Sequence, residues 1–285
     1  MTSSAQTCAN RVAVVTGSNQ GIGYFVALQL GLSGKFGHVI LACRDATRGQ
    51  EAVANIQKDF HSSSSSAANG VTFAYEPLTL GDSASHQSFA QKMEQTFGKV
   101  DVLINNAAMA FKGADPTPFQ QQCRPTLDVN FRGTVDFTEH LLPLLRKGDD
   151  PRIVNVASGA GRLGQVSQDL QAKFSNPNLE MSELHALVDK FQHDVENGIH
   201  VQEGWSNSNY GISKLAVIAA TKIWARQEHG TVVVNCCCPG YCATSMSSYK
   251  GGRPPEEGAK NAVIPATMEN PPTGSFFSNF QVAEW

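Results

Sequence analysis

Nothing in this chain reads as a membrane span: no stretch approaches the ~18 uninterrupted apolar residues that a bilayer helix needs, and the N-terminus lacks the basic start and apolar run of a signal peptide. Charge is scarce too. Asp, Glu, Lys and Arg make up 16% of the residues and leave a formal net charge of -3, which supplies no global attraction to nucleic-acid backbones or anionic membranes. No disulfide framework is expected either. Seven cysteines is an odd number, and four of them (Cys236, Cys237, Cys238 and Cys242) crowd into seven positions where pairing is sterically awkward. The reducing cytosol is therefore the expected compartment. The eight histidines show no ligand spacing such as His-x-x-x-His, so no metal site is expected.

What is present points to one large core. The 285 residues are 41% hydrophobic and include 25 glycines, within reach of a single α/β domain. Apolar β-branched runs alternate with amphipathic segments, the pattern of a doubly wound parallel sheet wrapped by helices, the Rossmann arrangement. Strands are expected at Val12–Thr16, His38–Cys43, Val71–Tyr75, Val100–Ile104, Arg152–Val156 and Val232–Cys236, with a last short one around Ser275–Phe277. Ligands of such sheets sit at the carboxyl ends of the strands.

Two stretches break the rhythm. His61–Gly70, with five consecutive serines, reads as a solvated loop. Arg162–Gly204 is far longer than the usual strand-to-helix connection and reads as a helical insertion. In it Ser182 can cap a helix carrying Leu184, Leu187, Val188, Phe191 and Val195 on one face, and Ser167 a shorter helix with Leu170 and Phe174.

The residues after the strands carry the chemistry. Gly17, Asn19, Gln20, Gly21 and Ile22 belong to the turn Thr16-Gly-Ser-Asn-Gln-Gly-Ile-Gly23, which joins the first strand to a helix. Its glycines permit a tight turn and close approach to a pyrophosphate, and the positive end of the helix favours that charge. A glycine there for φ > 0 alone is the bland alternative. Arg44 ends the second strand, where a planar cation suits the 2′-phosphate of NADP. Asp45 beside it is read as a helix cap. Farther on, Tyr210 and Lys214 are spaced to share one helix face. A phenol near pKa 10 needs a positive neighbour before it exchanges protons readily at neutrality.

Thr16-Gly-x-x-x-Gly-x-Gly23, Asn105-Asn-Ala-Ala108, Val129-Asn130-Phe-Arg-Gly133, Ser158, Tyr210-x-x-x-Lys214 and Pro239-Gly240 together resemble the short-chain dehydrogenase/reductase superfamily. Phe111–Phe119, Glu203–Tyr210, Cys237–Gly240, Pro255–Gly258 and Glu284-Trp285 further resemble its monomeric NADPH-dependent carbonyl reductases. The resemblance implies that Tyr210 protonates a carbonyl oxygen to which Ser158 hydrogen-bonds. Lys214 would lower the tyrosine pKa and hold the nicotinamide ribose, and Asn130 would anchor a proton-relaying water. Asn106, Ala107, Thr79, Leu80, Pro239, Gly240 and Thr244 are implied cofactor contacts, and Phe111, Gln122 and Tyr241 substrate contacts. The substrates implied are small aldehydes, ketones and quinones, with glutathione conjugates as a further class.

Several positions depart from the family pattern. Gln20 stands where a basic residue is usual, which predicts a weaker NADP preference. Thr79 replaces an aspartate, Ala108 a glycine, and Tyr241 a tryptophan. The insertion 162–204 matches a segment that, in the resembled subgroup, covers the face through which other members dimerise, so a monomer is expected. Cys238 is placed to meet a thiol. Trp205, Trp224 and Trp285 read as packing residues, with Trp205 also near enough in sequence to line the cleft. A narrow ketoreductase or alcohol dehydrogenase and a non-catalytic dinucleotide sensor remain the alternatives.

Overall fold

The glycine-rich turn emerges from the middle of a sheet. In the computed structural model, which describes residues 10–63 and 70–285, eight strands run in the order β3-β2-β1-β4-β5-β6-β7-β8. They are β1 (Val12–Thr16), β2 (His38–Cys43), β3 (Thr72–Pro77), β4 (Val102–Asn105), β5 (Arg152–Val156), β6 (Val233–Cys238), β7 (Phe276–Ser278) and β8 (Gln281–Ala283). All neighbours from β3 to β7 are parallel. The chain steps outward from β1 to β3 and then returns to place β4 on the other side of β1. That reversal opens a crevice at the carboxyl ends of β1 and β4.

The helices are α1 (Gly21–Leu32), α2 (Ala46–Ser63), α3 (Ser83–Phe97), α4 (Phe119–Leu127), α5 (Thr134–Leu145), α6 (Gln168–Phe174), α7 (Met181–Glu196), α8 (Asn209–Gln227) and α9 (Pro255–Thr267). A π-helical segment, Asp128–Gly133, joins α4 to α5. Successive strand residues point to opposite faces, so Val12 and Val14 enter one core while Ala13 and Val15 enter the other. The first core receives α3, α5, α7 and α8; the second receives α1, α2 and α9.

The expected strands recur, β1, β2 and β5 with the same ends and the other four with ends moved by one or two residues. An additional strand, β8, pairs antiparallel with β7 through a two-residue turn in which Asn279 and Phe280 have φ of 49° and 69°. This is the positive-φ geometry of a tight hairpin, built here without the glycine that would have marked it. His61–Ser63 complete α2, so the expected loop does not begin at His61; the rest of that stretch through residue 69 lies outside the described residues.

The insertion is helical, but its longer helix starts earlier than the Ser182 cap implies. Glu180 is the N-cap of α7, in a reciprocal capping box with Glu183. Leu184, Val188, Phe191 and Val195 are buried, and Leu187 packs at their margin. Each buried side chain of this size contributes about 1.5–3 kcal/mol. Trp205 closes this sub-core: its indole nitrogen donates to Asp194 at 2.8 Å and its ring lies 5.3 Å from Phe191. It does not line the cleft, because the carboxylate partner for its N–H lies inside the insertion.

Candidate active site

A cleft of about 510 Å³ occupies the crevice. Gly17, Asn19, Gln20, Gly21, Ile22, Arg44, Thr79, Leu80, Asn106, Ala107, Tyr210, Lys214, Pro239 and Thr244 all line it. These residues come from the segments that follow five strands, β1 to β4 and β6, and from the first turns of α8.

The glycines of the first turn are required by close packing against the end of β4 and by backbone conformation. Gly17 has φ +64°, and a Cβ on it would stand 2.8 Å from the Ala107 Cα. A Cβ on Gly23 would be 2.4 Å from the Asn106 amide nitrogen. The Asn106 side chain donates to the Thr16 carbonyl at 2.8 Å, and the Thr16 hydroxyl accepts from the Asn106 and Ala107 amides at 3.0 and 2.9 Å. Asn106 and Ala107 thus lock the turn as well as face the cleft. No side chain caps the start of α1, which leaves its first N–H groups open to an anion.

Arg44 lines one end of the cleft and makes no ion pair among the described residues. Arg48, one turn into α2, lines it as well, a second cation that reading the strand end alone misses. Asp45 accepts from the Arg48 amide at 2.9 Å, the capping role expected of it. Gln20 donates to the Ser245 hydroxyl at 3.3 Å; Ser245 and Met246 are further lining residues without a sequence signal.

At the other end stand Tyr210 and Lys214. Ser208 caps α8 by accepting from the Gly211 amide at 2.9 Å, which sets Tyr210 in the first turn. Lys214 is buried and donates to the Val156 carbonyl at 2.7 Å; burial draws its pKa down to about 8. Tyr210 is pushed up to about 12, because burial outweighs its hydrogen bond to Ser158, which acts in the opposite sense. The expected depression of the tyrosine by Lys214 is therefore not found in the protein alone: desolvation dominates.

Asn130 and Ser158 adjoin this end without lining the cleft. Asn130 lies in the π-helical segment, and its amide is engaged on both sides. Its oxygen accepts from the Met109 N–H at 2.8 Å, and its nitrogen donates to the Met109 carbonyl at 2.9 Å and to Ser213 at 3.0 Å. The Ser158 hydroxyl also accepts from the Ala160 amide at 3.1 Å.

Four expected contacts stand outside the cleft lining. Gly240 has φ +84° and turns against the Arg253 guanidinium. Gln122 donates to the Thr117 carbonyl at 2.6 Å, Phe111 lies on the segment before α4, and Tyr241 is 63% exposed. The Cys238 sulfur accepts from Gly159 and Gly240 amides at 3.1 and 3.4 Å, so it ties the ends of β5 and β6 together. Cys236 and Cys237 are buried. No described helix is long and apolar enough to cross a membrane.

A family model described as short chain dehydrogenase matches residues 11–170. Carbonyl reductase [NADPH] 1 of Sus scrofa is 38% identical over 287 residues, covering 96% of this chain and 94% of that protein. The Homo sapiens protein of the same name is also 38% identical, over 286 residues and 98% of its length. Among solved structures, salutaridine reductase from Papaver somniferum superposes with a TM-score of 0.82 at 29% identity, covering 94% of this chain and 99% of that one. Menthone neomenthol reductase from Mentha piperita gives 0.74 at 27% identity, covering 94% and 98%. The strand order, the glycine turn and these matches over nearly the whole length agree, and the chain belongs to the short chain dehydrogenase family.

Proposed function

We propose that this chain is an NADPH-dependent carbonyl reductase that converts aldehydes, ketones and quinones to alcohols. The observation that carries the reading is one cleft with two arginines, Arg44 and Arg48, at one end and Tyr210 with Lys214 at the other. The length between is spanned by a glycine turn that tolerates no side chain at Gly17 or Gly23. The fit to a dinucleotide is physical: backbone N–H groups for the pyrophosphate and planar cations for a 2′-phosphate. The relatives named as NADPH carbonyl reductases support the same cofactor.

When bound, NADPH supplies the hydride. Tyr210, kept protonated by its burial, donates a proton from its hydroxyl to the carbonyl oxygen as negative charge develops there, and Ser158 donates a hydrogen bond to the same oxygen. Lys214, which lines the cleft, would hold the ribose side of the nicotinamide and carry positive charge near the phenol. Asn130, clamped to Met109 and Ser213, orients the π-helical segment from which a water passes protons toward Lys214. Thr79 and Leu80 would hold the adenine and Pro239 and Thr244 the nicotinamide and phosphates, with Gly240 setting the turn between those two. Phe111, Gln122 and Tyr241 form the outer substrate wall, where glutathione conjugates are the larger class of ligand.

The chain acts as one domain and as a cytoplasmic monomer, with the 162–204 insertion packed over the face of α8 that would otherwise seek a partner. The test is NADPH oxidation with menadione, isatin and a panel of ketones, together with NADPH binding. Binding without turnover on any carbonyl would instead make the chain a dinucleotide sensor. Turnover of a single ketone would favour a narrow reductase.

A further inference from the structure

We propose that His86, Asp136 and His140 form a binding site for one divalent transition cation of the zinc class, in the seam between α3 and α5 and apart from the cofactor cleft. Ligand atoms of the three residues all lie within 4.8 Å of one another. Asp136 and His140 are one turn apart on α5, which places them on one helix face, and His86 reaches across from the first turn of α3.

The three side chains differ in freedom. His86 is fully buried and packs edge-on against Phe137, ring centres 5.6 Å apart, so its position is set by the core. Its Nδ1 meets an Asp136 oxygen at 2.5 Å, while its other nitrogen, Nε2, is buried with no hydrogen-bond partner. Asp136 and His140 retain 42% and 29% side-chain exposure, so this pair can adjust around the fixed imidazole and leaves the seam open to entry from solvent.

Two imidazoles and a carboxylate are a zinc donor set with a fourth position left for water, whereas calcium and magnesium prefer all-oxygen cages. Ligand atoms about 2 Å from a tetrahedral cation stand roughly 3.4 Å apart. His140 Nδ1 and the nearer Asp136 oxygen are already at 3.7 Å, and the His86–Asp136 pair must widen by roughly 1 Å to reach that spacing. Binding makes His140 exchange its 2.8 Å bond to the Asp136 carbonyl for the cation. His86 ligates through Nδ1 as the neutral imidazole with its proton on Nε2. The Ser83 hydroxyl, which also bonds Asp136, is the outer partner that orients the carboxylate. Since α5 continues directly from the π-helical segment, a cation here braces the helix that follows Asn130; its effect is on stability through mass action, not on the chemical step.

The test uses untagged full-length protein stripped with a chelator and titrated with ZnCl2 and, separately, CoCl2. One equivalent of Zn2+ by calorimetry, a raised melting temperature and the visible absorption of four-coordinate Co2+ are expected. His140→Ala and Asp136→Asn, both at the partly exposed edge, should each weaken Zn2+ binding roughly tenfold or more and remove the thermal shift. Both should retain the carbonyl reduction rate of stripped wild type. Absence of saturable Zn2+ binding to the wild type overturns the proposal, and so does equal binding by His140→Ala, which would assign the metal to the cysteines. Because the readout is binding and melting, failure of the carbonyl reductase reading leaves this test intact.

Discussion

The Lys214 ammonium lies 5.7 Å from the centre of the Tyr210 ring and is tied to the Val156 carbonyl at 2.7 Å, so the end of β5, not the phenol, fixes the cation. The phenol is left as a protonated donor at about pKa 12. Tyr210→Phe removes that proton while preserving the ring. Its expected outcome is a loss of about 10²–10⁴-fold in kcat for carbonyl reduction with NADPH affinity little changed, measured by NADPH absorbance and by quenching titration.

Lys214 carries a pH signature. Its folded pKa is about 8 against an ordinary 10.5, so between those values the unfolded chain binds more protons than the folded one, and stability rises with pH across that window. Below about 8 the penalty for burying the charge is present in full. Buried thiols such as Cys236, raised to about 12, act in the opposite sense. The expected result therefore concerns a difference: wild type should gain stability relative to Lys214→Met between pH 8 and 10.5. Urea unfolding of both proteins across that range checks it.

Arg44 and Arg48 should share the 2′-phosphate. A charge-assisted hydrogen bond contributes about 1.5–3 kcal/mol, so either Arg44→Ala or Arg48→Ala should raise KM for NADPH roughly 10–100-fold and leave KM for NADH nearly unchanged. Steady-state kinetics with both cofactors decides whether Arg48 compensates for Gln20. An unchanged ratio in Arg48→Ala would return the whole preference to Arg44.

Gly23→Ala introduces a Cβ 2.4 Å from the Asn106 side-chain nitrogen and 2.5 Å from the Gly17 carbonyl. The Gly17 backbone cannot yield as a side-chain tip would. Loss of NADPH binding with a destabilisation of about 1–3 kcal/mol is expected, read by titration and urea unfolding.

The insertion should behave as part of the core. Phe191 is fully buried beside Trp205 and His200, and Phe191→Ala should cost about 3–5 kcal/mol. Sedimentation should show a monomer for the wild type and self-association for this variant as the cover over α8 loosens.

Much of the fold was legible because parallel strands buried on both faces spell continuous apolar runs, as Val12–Thr16 and His38–Cys43 do. The cleft was legible because its residues follow those runs directly. β8 was not: its turn at Asn279 and Phe280 uses positive φ without glycine. Arg48 and Ser245 were not either, since they reach the cleft from a helix and a loop beyond the strand ends, where only the folded backbone turns them inward. The His86, Asp136 and His140 cluster was not legible as a site because His86 lies 50 residues before the Asp136–His140 pair and meets it only where α3 packs on α5.

The order of residues by itself determined the alternation of strands and helices, the glycine turn, and the Tyr210–Lys214 spacing, all of which depend on neighbours within a turn or a strand. Tertiary structure decided the rest. It buried Tyr210 and Lys214 so that desolvation moves their pKa values in opposite directions. It also sent Trp205 into the insertion and turned Gly240 away from the cleft lining. Burial and long-range contacts depend on which elements share a core, and local sequence does not encode that distance.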